Sequence, residues 1–532
     1  MAELTAGTTD GRAAAHRDAG PKGLKTGALG LVSSIVIGTA SVAPAYSLAA
    51  TLGFVVAAVG LQSPVIMILA FVPMFLVAFG YQGLNEADPD CGTTFTWGAR
   101  TFGPKTGWLG GWAIIAADII VMANLAQIAG LYGFQLVGAN GMAGRPGWIE
   151  VAGIVWIVLM TVICYIGIEV SVWLQRVLLT VELLMLLVLS VVALVKVYGS
   201  NAPAGSIHIA GSWFNPFDIT SFSALTSGLL LAVFIYWGWD TAVSINEETK
   251  DSAKTPGRAA VLSTVLLLVT YGLVTVSAQA FAGVGDSGTG LANPDNSGDV
   301  LSSLGTSVFG SAGFGWFLSK LLVLMVLTSA SASTQTTIMP TARTSLSMAS
   351  HKAIPDRFAR VHPRFQTPTW STIGMGIASV ALFVALTAIS GNVLSDSILS
   401  LGLAIAFYYG LTGLACFWYY LPLVRAGQRG KMLWLRCVFP LLGALILFGF
   451  FGYACHVFWA ADYGSTFWTI PFSPHWAIGG VFLTGVGALL LGVPLMLVYR
   501  LVRPGYFRGE TISKSNAATV PVAAVLPGET QG

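Results

Sequence analysis

Long apolar runs separated by short polar segments dominate the chain. Twelve of these runs reach the ~20 residues that an α-helix needs to cross a bilayer. They cover approximately residues 28–60, 63–82, 107–137, 148–168, 172–197, 220–246, 258–283, 314–346, 369–390, 395–421, 433–460 and 477–501. The pattern predicts an all-α integral membrane protein with twelve transmembrane helices, called spans 1 to 12 below in chain order.

Two of the runs are interrupted where a transmembrane helix should be most apolar. Span 1 carries the small and polar residues Gly38 to Ser41 and then Pro44, which lacks an N–H donor and disfavours a helical conformation in the preceding residue. Span 6 carries Trp237 to Asp240, with a glycine between two tryptophans and then an acid. Lipid offers no partner to backbone groups freed by such breaks, so protein, water or a ligand must satisfy them. A pair of broken spans, five apart, indicates a transporter built from inverted repeats.

The binding site of such a transporter lies between its two broken helices. The N–H groups of the outer half of span 1 would suit a carboxylate, and freed carbonyl groups of span 6 would suit an ammonium group. Neighbouring spans should supply polar walls. The candidate substrate-binding residues are Gly38, Thr39, Ala40, Ser41, Asn124, Gln127, Tyr236, Trp237, Gly238, Trp239 and Tyr408, with Ser329 as a further wall residue. The alternative for span 6 is a packed helix with a tolerated glycine.

The distribution of basic residues predicts the orientation of the chain. If the N-terminus is placed inside, 23 of the 26 Lys and Arg residues fall on the inner side, and Arg145, Lys196 and Lys320 fall at outer ends. This asymmetry follows the positive-inside rule and predicts that both termini are cytoplasmic. The polar segments 1–25 and 509–532 are predicted to be disordered cytoplasmic tails.

Composition leaves little support for other classes of protein. Only 9% of the 532 residues are charged, and the net charge of +3 gives no reason to expect a nucleic-acid partner. The five cysteines and six histidines have no spacing typical of metal ligands, so neither a metal site nor a cofactor is predicted. We found neither clustered catalytic residues nor a repeated pore filter, which argues against an enzyme and against a channel.

Three acidic residues fall at the middle depth of spans: Asp118, Glu182 and Asp240. An acid in a bilayer is costly, so it usually lines a cavity or has a partner. Each acid could instead be a hydrogen-bonded structural residue, and Asp240 could simply satisfy the loosened turn of span 6.

Three stretches give the chain a family resemblance: Thr93 to Trp112, Phe234 to Arg258, and Thr341 to Pro368. They resemble the entry to span 3, span 6 with its following loop, and the loop after span 8 in the amino acid–polyamine–organocation superfamily, in particular its bacterial amino acid permeases. The resemblance implies a five-plus-five inverted repeat with broken helices 1 and 6. The transporter core would cover residues 26–421, with repeats at 26–197 and 220–421, and residues 433–501 would form two additional transmembrane helices. In the first-span motif the family's second glycine is replaced by Ala40.

The same resemblance suggests how transport is energised. Glu182 aligns with a position at which proton-coupled members carry a lysine, and a carboxyl group there could take and release a proton. We therefore predict Glu182, together with Asp118, as coupling residues. Hydroxyl-rich Thr328 to Thr334 on span 8 leaves sodium coupling open, because oxygen ligands suit a hard cation. Close helix packing is the alternative interpretation of these small residues.

The sequence thus predicts a multi-pass protein of the cytoplasmic membrane that imports an amino acid or related amine by secondary active, proton-coupled transport. Its partners would be that small molecule, H⁺ and the lipid bilayer. The alternative is a sodium-coupled or exchange-type permease for polyamines or other amines.

Overall fold

The computed structural model of the chain describes residues 20–200, 202–296, 298–389 and 393–518. Most of both predicted tails, residues 1–19 and 519–532, therefore lies outside the described residues.

The described residues fold mainly into α-helices. These are α1 Leu31–Val42, α2 Pro44–Val59, α3 Ser63–Ala87, α4 Thr94–Phe102, α5 Pro104–Leu136, α6 Asn140–Ala143, α7 Pro146–Ile166, α8 Ile168–Tyr198, α9 Phe222–Ile235, α10 Thr241–Ser244, α11 Thr255–Ala282, α12 Val300–Phe309, α13 Gly313–Ser350, α14 Thr369–Ile389, α15 Val393–Arg425, α16 Lys431–Leu433, α17 Phe439–Phe458, α18 Gly480–Val502 and α19 Pro504–Phe507. A π-helical turn, Trp434–Val438, joins α16 to α17. Strands β1 (Phe467–Thr469) and β2 (Ala477–Gly479) pair antiparallel, with Phe467 opposite Gly479.

The predicted all-α membrane architecture is confirmed. Ten helical segments of the described chain are long and apolar enough to cross a bilayer. The first of them, Leu31–Ala87, includes both predicted spans 1 and 2, and span 6 contributes only the shorter apolar helix Phe222–Ile235. The count of twelve transmembrane helices therefore stays a prediction.

Both predicted helix breaks are present. In span 1, α1 ends at Val42, and Ala43 adopts a left-handed conformation (φ 49°, ψ 70°) before Pro44 starts α2. In span 6, α9 ends at Ile235 and helical structure resumes only at Thr241. Gly238 in this gap has φ 120°, a conformation that residues with a side chain rarely adopt. Proline in one span and glycine in the other thus supply the local reasons for the two breaks.

Spans 3 and 8 pack on one side of the broken helices. α5 packs against α13 and α15, and α13 contacts both α1 and α2. On the other side, α11 packs against α1 and α3. The outward helix faces carry exposed apolar side chains such as Leu184 (55% exposed) and Ile377 (66%), as expected where lipid covers the protein. The breaks therefore lie inside the bundle.

The described parts of the two predicted tails contact the helix bundle, and the tail boundaries stay a prediction. In the N-terminal segment, Lys22 forms ion pairs with Asp90 (2.7 Å) and Glu247 (2.6 Å), and Leu24 is buried. In the C-terminal segment, the N–H of Ser515 donates to the carbonyl of Arg100 (2.9 Å). Ion pairs, a buried apolar side chain and a main-chain hydrogen bond hold these segments to the bundle, whereas their polarity alone predicts that they are disordered.

The two described chain ends meet at the same end of the bundle. His351 contacts Asp90 through Nε2 (3.4 Å), and its carbonyl accepts a hydrogen bond from the Thr511 hydroxyl (2.6 Å). Since Asp90 also pairs with Lys22, residues near both ends of the chain share one cluster. We call this end of the bundle the terminal end.

Candidate functional site

The two helix breaks face a small cavity in the middle of the bundle. It is narrow, with about 20 Å³ open to the centre of a water molecule, which is room for little more than one water. Spans 1, 3, 6, 8 and 10 supply its wall. The lining residues are Ser41, Val42, Tyr46, Ser47, Ile114, Asp118, Val121, Phe234, Trp237, Gly238, Asp240, Thr241, Ser333, Thr336, Thr337, Pro340 and Tyr408.

The broken segments of spans 1 and 6 are in direct contact. A Cβ atom added to Gly238 would lie 3.0 Å from the carbonyl carbon, carbonyl oxygen and Oγ of Ser41. The hydroxyl groups of Ser41 and Thr241 are 2.8 Å apart, and Ser333 on α13 donates to the Ser41 carbonyl (2.9 Å). Glycine at 238 thus allows the two breaks to approach each other.

Asp240 holds the unwound segment to span 10. Its Oδ1 accepts a hydrogen bond from the Tyr409 hydroxyl (2.8 Å), and its Oδ2 accepts one from the Tyr408 hydroxyl (3.3 Å). Tyr408 in turn accepts a hydrogen bond from the indole of Trp237. The set of candidate residues included Trp237 and Tyr408 but not Asp240 or Tyr409. The acid at the centre of span 6 and the adjacent tyrosine pair were the sequence signals for these two residues.

Asp118 faces the same cavity from span 3. The Asp118 carboxylate accepts a hydrogen bond from the Thr341 hydroxyl on α13, and Asp118 is only 4% exposed. Among the described residues, the cavity wall thus contains two carboxylates, Asp118 and Asp240, and no lysine or arginine. This arrangement favours a positively charged group such as an ammonium.

Glu182 does not line the cavity but lies behind the break in span 1. Its Oε1 accepts hydrogen bonds from the N–H of Ala45 (2.7 Å) and from the Ser329 hydroxyl (2.7 Å). Tyr46 N–H also points to Ser329 (3.4 Å). The first N–H groups of α2, which we expected to be available to a carboxylate, are therefore satisfied by the chain's own Glu182 and by Ser329. A carboxylate at a helix N-terminus is stabilised by the helix dipole.

Several predicted site residues support the cavity without lining it. Ser41, Trp237, Gly238 and Tyr408 line the wall, whereas Trp239 packs against Tyr81 with ring centroids 5.1 Å apart. The predicted residues that lie outside the wall are Gly38, Thr39, Ala40, Asn124, Gln127, Tyr236, Trp239 and Ser329. Successive residues of a helix point in different directions, so the flanks of each break turn partly away from the cavity.

The hydroxyl-rich stretch of span 8 is largely satisfied by its own helix. Thr328, Ser331 and Thr334 donate to the carbonyl groups of Met325, Leu327 and Ala330 at 2.7 to 3.0 Å. Ser329 and Ser333 instead reach Glu182 and the Ser41 carbonyl. The pattern favours helix packing over a set of converging cation ligands.

Two ion pairs lie at the terminal end of the bundle. Arg343 on α13 binds Glu248, in the loop after α10, through two hydrogen bonds of 2.5 and 2.9 Å, and both side chains are at most 4% exposed. Nearby, burial raises the pKa of Asp90, but Lys22 and His351 lower it more, so that it lies well below its usual value. The stabilisation from the ion pair of Asp90 with Lys22 is therefore fully present above the ordinary aspartate pKa of about 3.9 and is lost as the pH falls from there through the lowered pKa of Asp90.

Comparison with known proteins identifies the family. A family model described as amino acid permease matches residues 28–483. An uncharacterised transporter of Mycobacterium tuberculosis is 27% identical over 354 residues, which cover 66% of this chain and 73% of the relative. A branched-chain amino acid permease of Bacillus subtilis is 24% identical over 59% of this chain and 65% of its own length. A vacuolar cationic amino acid transporter of Arabidopsis thaliana is 25% identical, over 59% of this chain and 51% of the relative.

The match covers most of the chain, and the resemblance stated from the sequence is confirmed. The related proteins are transporters and not enzymes, and the helices form a multi-pass membrane bundle. This chain therefore belongs to the amino acid permease family and is a transporter of amino acids or amines.

Proposed function

We propose that the protein is a secondary active transporter that imports an amino acid or related amine across the cytoplasmic membrane, driven by protons. Both termini would be cytoplasmic, and the terminal end would face the cytoplasm. The observation that carries the proposal is the meeting of two broken spans at a narrow cavity, where Asp118 and Asp240 are the only charged wall residues in the described part of the chain.

The cavity wall supports a substrate with an ammonium group beside an apolar part. Asp118 and Asp240 would face the ammonium group, and Val42, Ile114 and Val121 form an apolar part of the wall. The relatives include a permease named for branched-chain amino acids and a transporter named for cationic amino acids, and both classes of amino acid carry an α-ammonium group. The narrow cavity requires that wall residues move apart when a substrate enters.

The contacts of Glu182 support a role in proton coupling. When its carboxylate binds a proton, it loses the charge that interacts with the N-terminus of α2, and one of its oxygens becomes a donor instead of an acceptor. The hydrogen bond from Ala45 would then weaken. Protonation of Glu182 would thereby alter how the outer half of span 1 is held, which is the link a proton-driven transporter needs.

Sodium coupling and obligatory exchange are the alternatives. Sodium would have to use the hydroxyls of Thr328 to Thr334, of which Thr328, Ser331 and Thr334 already donate within their own helix. An exchanger of polyamines or other amines would use the same acidic cavity, but would require substrate on both sides of the membrane.

Purified protein in liposomes tests the proposal. Uptake of radiolabelled L-leucine and L-arginine is measured with a pH gradient alone, with a sodium gradient alone, and with internal substrate alone; unlabelled amino acids, polyamines and alkylamines serve as competitors. We expect accumulation with the pH gradient in sodium-free buffer and its loss when a protonophore is added. Strict dependence on sodium would favour the first alternative, strict dependence on internal substrate the second, and equilibration without accumulation a channel.

A further inference from the structure

We propose that a second cavity, at the end of the bundle opposite to the terminal end, binds a small molecule that carries both a carboxylate and an ammonium group, as a free α-amino acid does. This outer cavity measures about 280 Å³, close to the lower limit of about 300 Å³ for small-molecule sites. It lies between the end of α5, helix α12 and the start of α13, and its wall includes Gln135, Ser302, Trp316 and Lys320.

Lys320 provides the positive charge of the outer cavity. It is half-buried, and its Nζ donates to the main-chain carbonyl of Gln135 (3.0 Å). Within the described residues no carboxylate pairs with Lys320. A partly buried ammonium group without a counter-ion is costly, so it should attract an anion. Lys320 is also one of only three basic residues predicted at outer ends of spans.

Gln135 provides an acceptor beside that charge. Its Oε1 is buried and accepts no hydrogen bond from a described residue. An unsatisfied buried acceptor is costly, and a donor such as an ammonium group would remove that cost. The nearby acid Asp299 is engaged, since it accepts hydrogen bonds from Tyr132 and from the N–H of Ser302. Within the described residues, the outer cavity wall therefore combines a cation without a counter-ion and an amide oxygen without a donor, which match the carboxylate and the ammonium group of an amino acid.

The outer cavity is separate from the central one. Gln135 is 17 residues beyond Asp118 on α5, or about 25 Å along the helix at 1.5 Å per residue. On α13, Lys320 in the outer cavity and Ser333 in the central cavity are 13 residues apart, or roughly 20 Å. One small ligand cannot occupy both cavities. If the orientation in the proposed function holds, the outer cavity faces the outside and would hold an amino acid while the central cavity is closed.

The test counts the ligands bound by the purified full-length chain in equilibrium dialysis, with radiolabelled L-leucine and L-arginine as probes. We expect two bound equivalents of a recognised probe for the parent protein. Lys320→Gln should lose one, because glutamine keeps a donor for the Gln135 carbonyl but has no charge. Gly238→Val, which fills the central break, should keep one, and the double variant should bind none. Lys196→Gln, at another predicted outer helix end, is the matched control and should bind two.

Analogues without a carboxylate test whether the outer cavity requires that group of the ligand. Agmatine and isoamylamine, which lack the carboxylates of arginine and leucine, should not displace the equivalent that remains in Gly238→Val. The proposal is overturned if Gly238→Val retains no binding, or if Lys320→Gln retains both equivalents. It is also overturned if short-chain phosphatidylglycerol binds in a Lys320-dependent manner and neither amino acid does, since the cavity would then be a lipid headgroup site. If the parent protein instead binds only the Lys320-dependent equivalent and shows no uptake, the result counts against the proposed function and not against the outer cavity.

Discussion

Glu182 is the residue on which the coupling hypothesis depends. Its carboxylate accepts hydrogen bonds from the N-terminus of α2 and from Ser329 on span 8. Glu182 therefore contacts both the broken span 1 and a span that packs against it. Replacement by glutamine is informative because the amide keeps an acceptor oxygen for Ala45 but cannot exchange a proton.

We predict that Glu182→Gln abolishes accumulation driven by a pH gradient while exchange of internal for external substrate persists. Exchange does not require release of a proton in each half-cycle. The measurement is paired uptake and exchange in liposomes. Glu150→Gln is the matched control, since Glu150 also accepts a hydrogen bond from a hydroxyl, that of Thr387 (2.9 Å), and lies outside the cavity wall. Normal proton-driven accumulation by Glu182→Gln would refute the coupling role.

At the scale of secondary structure, the break in span 6 depends on Gly238. Its φ of 120° is unfavourable for a residue with a side chain, and any Cβ would meet Ser41 at 3.0 Å. A larger residue must push the two breaks apart or shift the unwound turn.

We predict that Gly238→Val strongly weakens substrate binding at the central cavity while the protein still inserts into the membrane. Binding of radiolabelled substrate to purified protein measures the effect, and the elution volume in size-exclusion chromatography reports folding. Gly272→Val on α11 is the matched control, because a Cβ there meets nothing within 4 Å. Binding by Gly238→Val equal to that of the parent would show that the central cavity is not the substrate site.

The buried ion pair between Arg343 and Glu248 links α13 to the loop that follows span 6. Removing one partner of such a pair leaves an unpaired buried charge and typically costs about 3–5 kcal/mol. We predict that Arg343→Met lowers the thermal midpoint strongly, and that Arg343→Met combined with Glu248→Leu recovers part of the loss. As a control, Lys352→Met should change the midpoint little, because Lys352 and Asp356 are 54% and 55% exposed and such pairs contribute about 0–1 kcal/mol. Equal shifts of the thermal midpoint by Arg343→Met and Lys352→Met would contradict the stabilising role of the buried ion pair.

At the scale of the whole molecule, the proposed orientation makes a prediction about surface accessibility. Loop positions chosen from the sequence alone would include Ala353 and Gly290. The structure excludes both as labelling sites, because Ala353 is fully buried and a Cβ at Gly290 would lie 2.2 Å from the Gly285 carbonyl oxygen. Arg357 and Ser287 are exposed positions in the same two loops.

We predict that a membrane-impermeant thiol reagent, applied to intact cells, labels Ser287→Cys and does not label Arg357→Cys. Both variants should react after the membrane is permeabilised. The parent protein is the control for its five native cysteines, which are buried or half-buried. Labelling of Arg357→Cys in intact cells without labelling of Ser287→Cys would invert the proposed topology.

The sequence by itself determined the features that depend on local chemistry. Apolar runs of bilayer length required membrane helices, and Pro44 and Gly238 fixed where two of them break. The same local signals named Ser41, Trp237, Gly238 and Tyr408, all of which line the central cavity. Asp118 and Asp240 were recognised as costly acids for the same reason. Each of these inferences needs only the chain, the bilayer and the geometry of a helix.

Only the tertiary structure decided which side chains meet. It placed Glu182 on the N–H of Ala45, 137 residues away in the chain, and thereby satisfied a group that we had assigned to the substrate. It also paired Asp240 with Tyr409 and held Lys22 against Asp90. Such partners depend on how separate helices are rotated and how deeply each one is set in the bundle. The periodicity of a single helix shows which faces are apolar, but it contains no information about the distance between atoms on two helices.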